Sequence, residues 1–146
     1  NAVKRILIGP MEEDYKNKVT EYVTNGFLEY FGEVDSVIPY LQICDGVLHP
    51  SHHEGMSNVL LEASASARPS IASSIPGCKE IVDHKDSGLL FEVKNIEDII
   101  KQVTEFNKMS RTERKTMGTN ARKKVETSFD RRIIINQYIK YINGGK

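Results

Sequence analysis

Short apolar runs of strand length alternate with stretches of helical period along the chain. That alternation restricts the fold to α/β, with a parallel sheet covered by helices on both faces. Val3 to Ile8, closed by Gly9-Pro10, reads as the first strand. Glu12 to Thr24 reads as a helix with Tyr15, Val19, Tyr22 and Val23 on one face. Glu12, Glu13 and Asp14 fall in its first turn, where acids suit the helix dipole. Leu28 to Phe31 is a short strand, Val37 to Cys44 a short helix with Pro39 in its first turn, and Gly46 to Pro50 a buried strand. Ser57 to Ala67 is helical, Ser70 to Ser73 and Gly88 to Val93 are strands, and Asn95 caps a helix carrying Ile96, Ile99, Ile100, Val103 and Phe106. Ser110 and Glu113 form a capping box for a helix to about Thr127. A last helix from about Asp130 places Ile134, Tyr138 and Ile142 on one side and ends at Gly144-Gly145. Ligands of such sheets bind beyond the carboxyl ends of the strands. The loops after Ile8, Phe31, Pro50 and Ser73 are therefore where a site is expected.

The 146 residues amount to about one domain, expected to run from Val3 to Lys146. Twenty basic residues balance twenty acidic ones, so no overall field favours nucleic acid as a partner. No apolar run approaches the roughly 20 residues needed to span a bilayer. Cys44 and Cys78 have no metal-type spacing and are too few for a disulfide framework, which suits reduced thiols in a cytoplasmic protein. The chain begins at Asn1 rather than methionine, so a processed form or a cut fragment is expected, with Asn1-Ala2 read as a tag remnant.

The most informative stretch is HPSHHEGMSNVLLEASAS, from His49 to Ser66. It leaves a strand, crosses a loop with Gly55 and enters a helix near Ser57. A helix start offers unpaired amides and a partial positive charge, the elements of an anion site. The helix after Pro10 opens with three acids, whereas the first acid of the Ser57 helix is Glu62, so the latter is the better phosphate cradle. Gly55 lets the backbone approach a ligand closely. Glu54 and Glu62, with seven residues between them, reach different parts of an extended ligand. Two carboxylates accepting from hydroxyl pairs on either side of a diphosphate suit a nucleotide sugar. Taken alone, Glu62 reads better as a solvated helix residue than as a ligand group.

At this segment the chain resembles the C-terminal domain of family-4 glycosyltransferases. HEGMSNVLLEA is similar to that family's signature, LIGP to its first strand, YFGEVDSVIPYLQICDGVLHPS to the approach to the site, and ARPSIASSIPGCKEIVDHKDSGLLFE to the segment that follows. The resemblance implies a Rossmann-like three-layer domain, the C-terminal half of a GT-B fold. It implies that the chain is the donor-binding half of a retaining hexosyltransferase, inactive alone. The acceptor-binding N-terminal domain and an upstream Arg and Lys pair would lie outside this sequence. Glu54 would be the candidate catalytic residue, holding the donor sugar rather than acting as a base. Gly55, Met56, Ser57 and Asn58 would border the sugar and diphosphate, the last three through main-chain amides, and Glu62 would bind the ribose. Val34 would lie near the base, and Gly77 and Glu80 near the sugar. The substrate would be a nucleoside-diphosphate sugar, with no metal or cofactor. The setting would be polysaccharide or glycolipid synthesis, cytoplasmic or peripheral at the inner membrane face. The sequence departs from the family pattern at Gly9-Pro10-Met11-Glu12, at Arg68 where a glycine is usual, which alters a helix end, and at Cys78.

Other readings have less behind them. His49, His52, His53 and Glu54 invite a metal but lack the H-E-x-x-H spacing, and loop-packing histidines are the simpler account. Gly-Met-Ser-Asn-Val lacks the second glycine of a nucleophile elbow. No G-x-G-x-x-G follows the first strand, and no acidic cluster follows Ile6-Leu7-Ile8 to suggest a receiver domain. Arg111, Arg114, Lys115, Arg122, Lys123 and Lys124 form a solvated basic surface, with lipid docking a weaker alternative. A retaining glycosidase needs carboxyls about 5–5.5 Å apart, which an E-x7-E pair serving opposite ends of a donor does not suit. The implied route is front-face attack by the acceptor hydroxyl, aided by a leaving phosphate oxygen. Two rivals stay open: a non-catalytic nucleotide-sugar-binding module, and another GT-B enzyme such as a sugar-nucleotide epimerase.

Overall fold

The computed structural model describes residues 3–144, except the side chain of Ile134. Asn1, Ala2, Gly145 and the Ile134 side chain, each assigned a place above, lie outside the described residues. The chain divides into two compact units, Asn1–Pro39 and Tyr40–Lys146.

In the first unit, β1 (Ile6–Leu7) and β2 (Glu29–Tyr30) pair in parallel, Ile6 opposite Glu29 and Leu7 opposite Tyr30. Both are shorter than the apolar runs that contain them. The chain turns away at Gly9 and Gly32, which have φ of 129° and 69°, and the Gly9 amide donates to the Gly32 carbonyl at 2.8 Å. The helical stretch expected from Glu12 opens as a 3-10 turn. Glu13–Tyr15 make a single 3-10 turn, and α1 (Lys16–Thr24) begins only after it. Neither Glu12 nor Tyr15 caps the following turn with its side chain. The three acids therefore precede α1 instead of filling its first turn. No residue of α1 is buried; its Tyr22 ring meets Phe27 edge-on, with centroids 6.3 Å apart.

α2 (Ile38–Ile43), with Pro39 in its first turn as expected, begins in the first unit's last residues, and β3 (Val47–His49) follows in the second unit. β3, β4 (Ser70–Ser73) and β5 (Gly88–Phe91) form a parallel sheet in that order. His49 lies opposite Ala72, and Ser73 opposite Phe91. β4 is buried at all four positions, as a central parallel strand must be. Its side chains alternate between two cores. Ile71 joins Leu89, Phe91, Phe106 and Met117, while Ala72 joins Leu60, Ile75, Cys78, Ile81, Val82 and Val125.

Between and after these strands come α3 (Asn58–Ala65), α4 (Ile96–Lys108), α5 (Arg111–Ser128) and α6 (Arg131–Ile142). α5 supplies Met117 to one core and Val125 to the other. The Ser110–Glu113 capping box forms as expected. On α4 the buried stripe runs through Ile99, Gln102, Val103 and Phe106, leaving Ile96 and Ile100 exposed on its flank. The buried Gln102 amide group donates to Asp98 at 3.1 Å, while its carbonyl oxygen has no hydrogen-bond partner among the described residues. Parallel sheets flanked by helices are the α/β architecture that the sequence pattern predicts. No helix among the described residues is long and apolar enough to cross a membrane.

The expectation at Arg68 needs correction. The residue in the left-handed region is Ala67, at φ 54°, so the position that favours glycine after α3 is one residue earlier. Arg68 has a separate task, donating from its guanidinium to the Leu41 and Gln42 carbonyls at the end of α2.

Candidate functional site

β3 and β4 end side by side, so the loops that follow them meet at the carboxyl edge of the sheet. The β3 loop carries Glu54, Gly55 and Met56; the β4 loop carries Gly77 and Glu80. Gly77 sits at φ 83°, and a Cβ there would lie 2.8 Å from the Gly55 carbonyl oxygen and 2.9 Å from both the Cβ and carbonyl oxygen of Glu54. Only glycine allows so close a crossing. The Gly77 carbonyl accepts the Ser57 amide at 3.3 Å, and the Glu80 carboxylate accepts the Gly77 amide at 2.7 Å. Glu80 thus anchors the loop that presses on Glu54.

Ser57 is buried and caps α3, its hydroxyl accepting the Leu60 amide at 3.4 Å. The Ser57 amide, expected to face a ligand, is engaged with Gly77 instead. The amides of Asn58 and Val59 have no hydrogen-bond partner among the described residues, and both residues are exposed at the start of α3. Of the three expected main-chain donors, only Ser57 is thus committed; the Met56 amide also has no hydrogen-bond partner among the described residues, and Val59 adds an amide that the sequence reading did not name. Met56 and Gly55 are exposed beside them, and Gly55 has nothing within 4 Å of where a Cβ would be. Glu62 is exposed on α3. Val34 belongs to the first unit, half-buried two residues after Gly32.

The residue that sequence reasoning undervalued is His49, which it weighed only as a metal ligand or a packing group. His49 ends β3 and points its Nε2 at two partners, Glu54 Oε1 at 2.9 Å and Ser57 Oγ at 3.0 Å. Its side chain is 16% exposed and that of Glu54 24%, so the contact is largely shielded from water. A serine, a histidine and a glutamate together raise the question of a nucleophile. In a catalytic triad, however, the base uses one ring nitrogen for the nucleophile and the other for the acid. Here one nitrogen serves both partners, and Ser57 is 1% exposed. The arrangement orients groups rather than relaying a proton.

Cys78 packs beneath the same loops with no exposed surface. Burial, reinforced by the nearby Glu54 and Glu80 carboxylates, pushes its thiol up to about 11. Among the described residues, no group of three or more His, Cys, Asp or Glu side chains is placed to hold a metal ion. An open recess of about 450 Å³ lies beyond β4 and β5, lined by Ser74, His84, Phe91, Glu92 and Asp98 among others, and none of the site residues named above borders it.

A parallel sheet whose carboxyl edge presents a carboxylate loop and a helix start with uncommitted amides defines an α/β ligand-binding domain suited to an anionic ligand. The chain belongs to the family of glycosyl transferases group 1, whose pattern matches residues 1–124. It is 27% identical over 135 residues to the N,N'-diacetylbacillosaminyl-diphospho-undecaprenol alpha-1,3-N-acetylgalactosaminyltransferase of Campylobacter jejuni, covering 92% of this chain and 35% of that protein. It is 33% identical over 109 residues to the N-acetyl-alpha-D-glucosaminyl L-malate synthase of Bacillus anthracis, covering 75% of this chain and 28% of the relative. The chain thus spans about a third of the length of these relatives. Its fold matches that of Anabaena HepE, solved in complex with UDP and glucose, with a TM-score of 0.80 at 22% identity over 94% of this chain and 40% of the other. The solved neighbours are GT-B glycosyltransferases.

Proposed function

We propose that this chain is the donor-binding part of a longer, retaining family-4 glycosyltransferase. The enzyme moves a hexose-type sugar from a nucleoside-diphosphate sugar to an acceptor hydroxyl in polysaccharide or glycolipid synthesis. The observation that carries the reading is the junction of Glu54 with the start of α3. A carboxylate suited to sugar hydroxyls stands next to two exposed amides suited to phosphate. The family match across both units, and relatives whose names describe transfer of amino sugars, support it. When the glycosidic bond to the diphosphate breaks, negative charge grows on the leaving phosphate and positive charge on the sugar ring. The amides of Asn58 and Val59, preorganised at a helix start, stabilise the first. Glu54 fixes the sugar while the acceptor hydroxyl attacks from the same face, passing its proton to a departing phosphate oxygen. No metal is required, and the protein works in the cytoplasm or against the inner membrane face. The acceptor is held by another part of the protein, so this chain alone binds donor without transferring sugar.

Calorimetric titration of the chain with UDP, GDP and ADP and with their glucose, mannose and N-acetylglucosamine conjugates tests the proposal. Saturable binding of one nucleoside diphosphate and its sugar, without release of transferred product, is expected. Absence of binding across the whole series, or transfer by this chain alone, contradicts it.

A further inference from the structure

Taking Glu54 as the group that meets the donor sugar, as proposed above, we infer that His49 is its positioning residue. His49 sets which carboxylate oxygen faces the ligand and locks Glu54 to the first turn of α3. His49 is well placed for this because its backbone is fixed in the sheet, opposite Ala72, where β3 ends. Its ring reaches across the loop and ties together residues five and eight positions ahead.

The tautomer follows from the partners. A carboxylate oxygen offers only lone pairs, so a ring nitrogen 2.9 Å away must carry hydrogen. A bare Nε2 would set two lone pairs against each other. The Nε2–H therefore donates to Glu54 Oε1. Ser57 Oγ, at 3.0 Å, accepts a second arm of the same N–H while also accepting the Leu60 amide. The chain of contacts runs from the sheet through His49 to the carboxylate and the helix cap. Oε1 is thereby committed inside the protein, leaving Oε2 for a ligand hydroxyl.

The physical effect is preorganisation. A glutamate held by one oxygen has lost rotamer freedom before the ligand arrives, so less is lost on binding. Gly77 presses on the Glu54 backbone from the opposite side, so both the main chain and the side chain of Glu54 are held. Because the diphosphate meets backbone amides rather than Glu54, removing His49 should weaken the sugar-bearing donor and spare the free nucleoside diphosphate.

Two measurements on the intact chain test this. A long-range proton–nitrogen correlation spectrum of the unliganded protein should show His49 protonated on Nε2, with that resonance moving when Glu54 becomes Gln. A His49 protonated only on Nδ1 overturns the assignment without any variant of His49 being made. The second is calorimetry of His49→Leu and His49→Gln against the same nucleotides and nucleotide sugars. His49→Leu should lose about tenfold in affinity for the sugar nucleotide and nothing for its diphosphate, and His49→Gln, which keeps an N–H at similar reach, should recover most of the loss. Unchanged sugar-nucleotide affinity in His49→Leu overturns the role of His49 while leaving that of Glu54 intact. Equal loss for the free diphosphate marks a general structural role and also overturns it. If Glu54→Gln itself leaves sugar-nucleotide binding unchanged, or no nucleotide binds at all, the donor-sugar reading of Glu54 falls and this inference with it.

Discussion

Gly77→Ala is the sharpest test of how the site is built, because the clash can be worked out atom by atom. The added methyl would stand 2.8 Å from the Gly55 carbonyl oxygen and 2.9 Å from two atoms of Glu54, while the backbone is held at φ 83°. An L side chain in the left-handed region costs about 1–2 kcal/mol. Relieving contacts this short by moving a packed loop costs about 1–3 kcal/mol more. The contacted atoms include backbone, so no flexible side-chain tip can swing away to absorb the strain. A loss of about 2–5 kcal/mol follows, which at roughly 1–3 kcal/mol per molar urea lowers the unfolding midpoint by about 1 M or more. If the loop yields instead, stability is kept and affinity for the sugar nucleotide falls, because Glu54 has been displaced. The matched control is Gly55→Ala, where a Cβ meets nothing and φ is not in the left-handed region, so the midpoint should hold. A Gly77→Ala variant with both an unchanged midpoint and unchanged binding would refute the packing of these two loops.

Cys78 gives a pH test. Its thiol is held near 11 in the folded chain against 9.0 for a free thiol, so the unfolded state loses its proton first as pH rises. The stabilisation is fully present below pH 9 and disappears between pH 9 and 11, amounting to about 2–3 kcal/mol at the upper end. Urea midpoints of the wild type and Cys78→Ala, compared at pH 8 and pH 10.5, should converge at high pH; parallel pH curves would show that the thiol is not shielded. Ala67→Gly should raise stability by about 0.5–1 kcal/mol, the relief of the left-handed alanine less the extra freedom of glycine in the unfolded chain, and a lowered midpoint would count against the φ of 54°.

The fold was largely legible because the second unit obeys simple rules. Asn95, Ser110 and Asp130 each stand immediately before a helix and accept one of its first amides, as their side chains suit them to do. Ser70 to Ser73 becomes a strand over the predicted residues, its small side chains and one isoleucine fitting a position buried on both faces. The first unit was less legible. Glu12, Glu13 and Asp14 look like a helix start, yet no capping side chain stands in front of them, and a 3-10 turn forms instead. At the site, the resemblance pointed to Glu54, Gly77 and Glu80, and the structure brings these three together. It could not reveal that the Ser57 amide is taken by Gly77, or that His49 holds Glu54. The first joins the loops after two adjacent strands and depends on their register, a tertiary property; the second depends on how the loop after β3 folds back on the strand end. Only His49's place near the end of the predicted Gly46–Pro50 strand hinted at it.

The central claim is that one end of the α3 segment reads the sugar and the other reads the nucleotide. Its most direct measurement is calorimetry of Glu54→Gln and Glu62→Gln against a nucleoside diphosphate and its sugar conjugate, side by side. A hydrogen bond to a charged group contributes roughly 1.5–3 kcal/mol, so each loss should be about tenfold or more wherever the carboxylate is used. Glu62→Gln is predicted to weaken both ligands alike, since the ribose is common to them. Glu54→Gln is predicted to weaken only the sugar conjugate and leave the free diphosphate at wild-type affinity. If the two substitutions weaken the free diphosphate equally, or neither affects the sugar conjugate, the division of labour between Glu54 and Glu62 is contradicted.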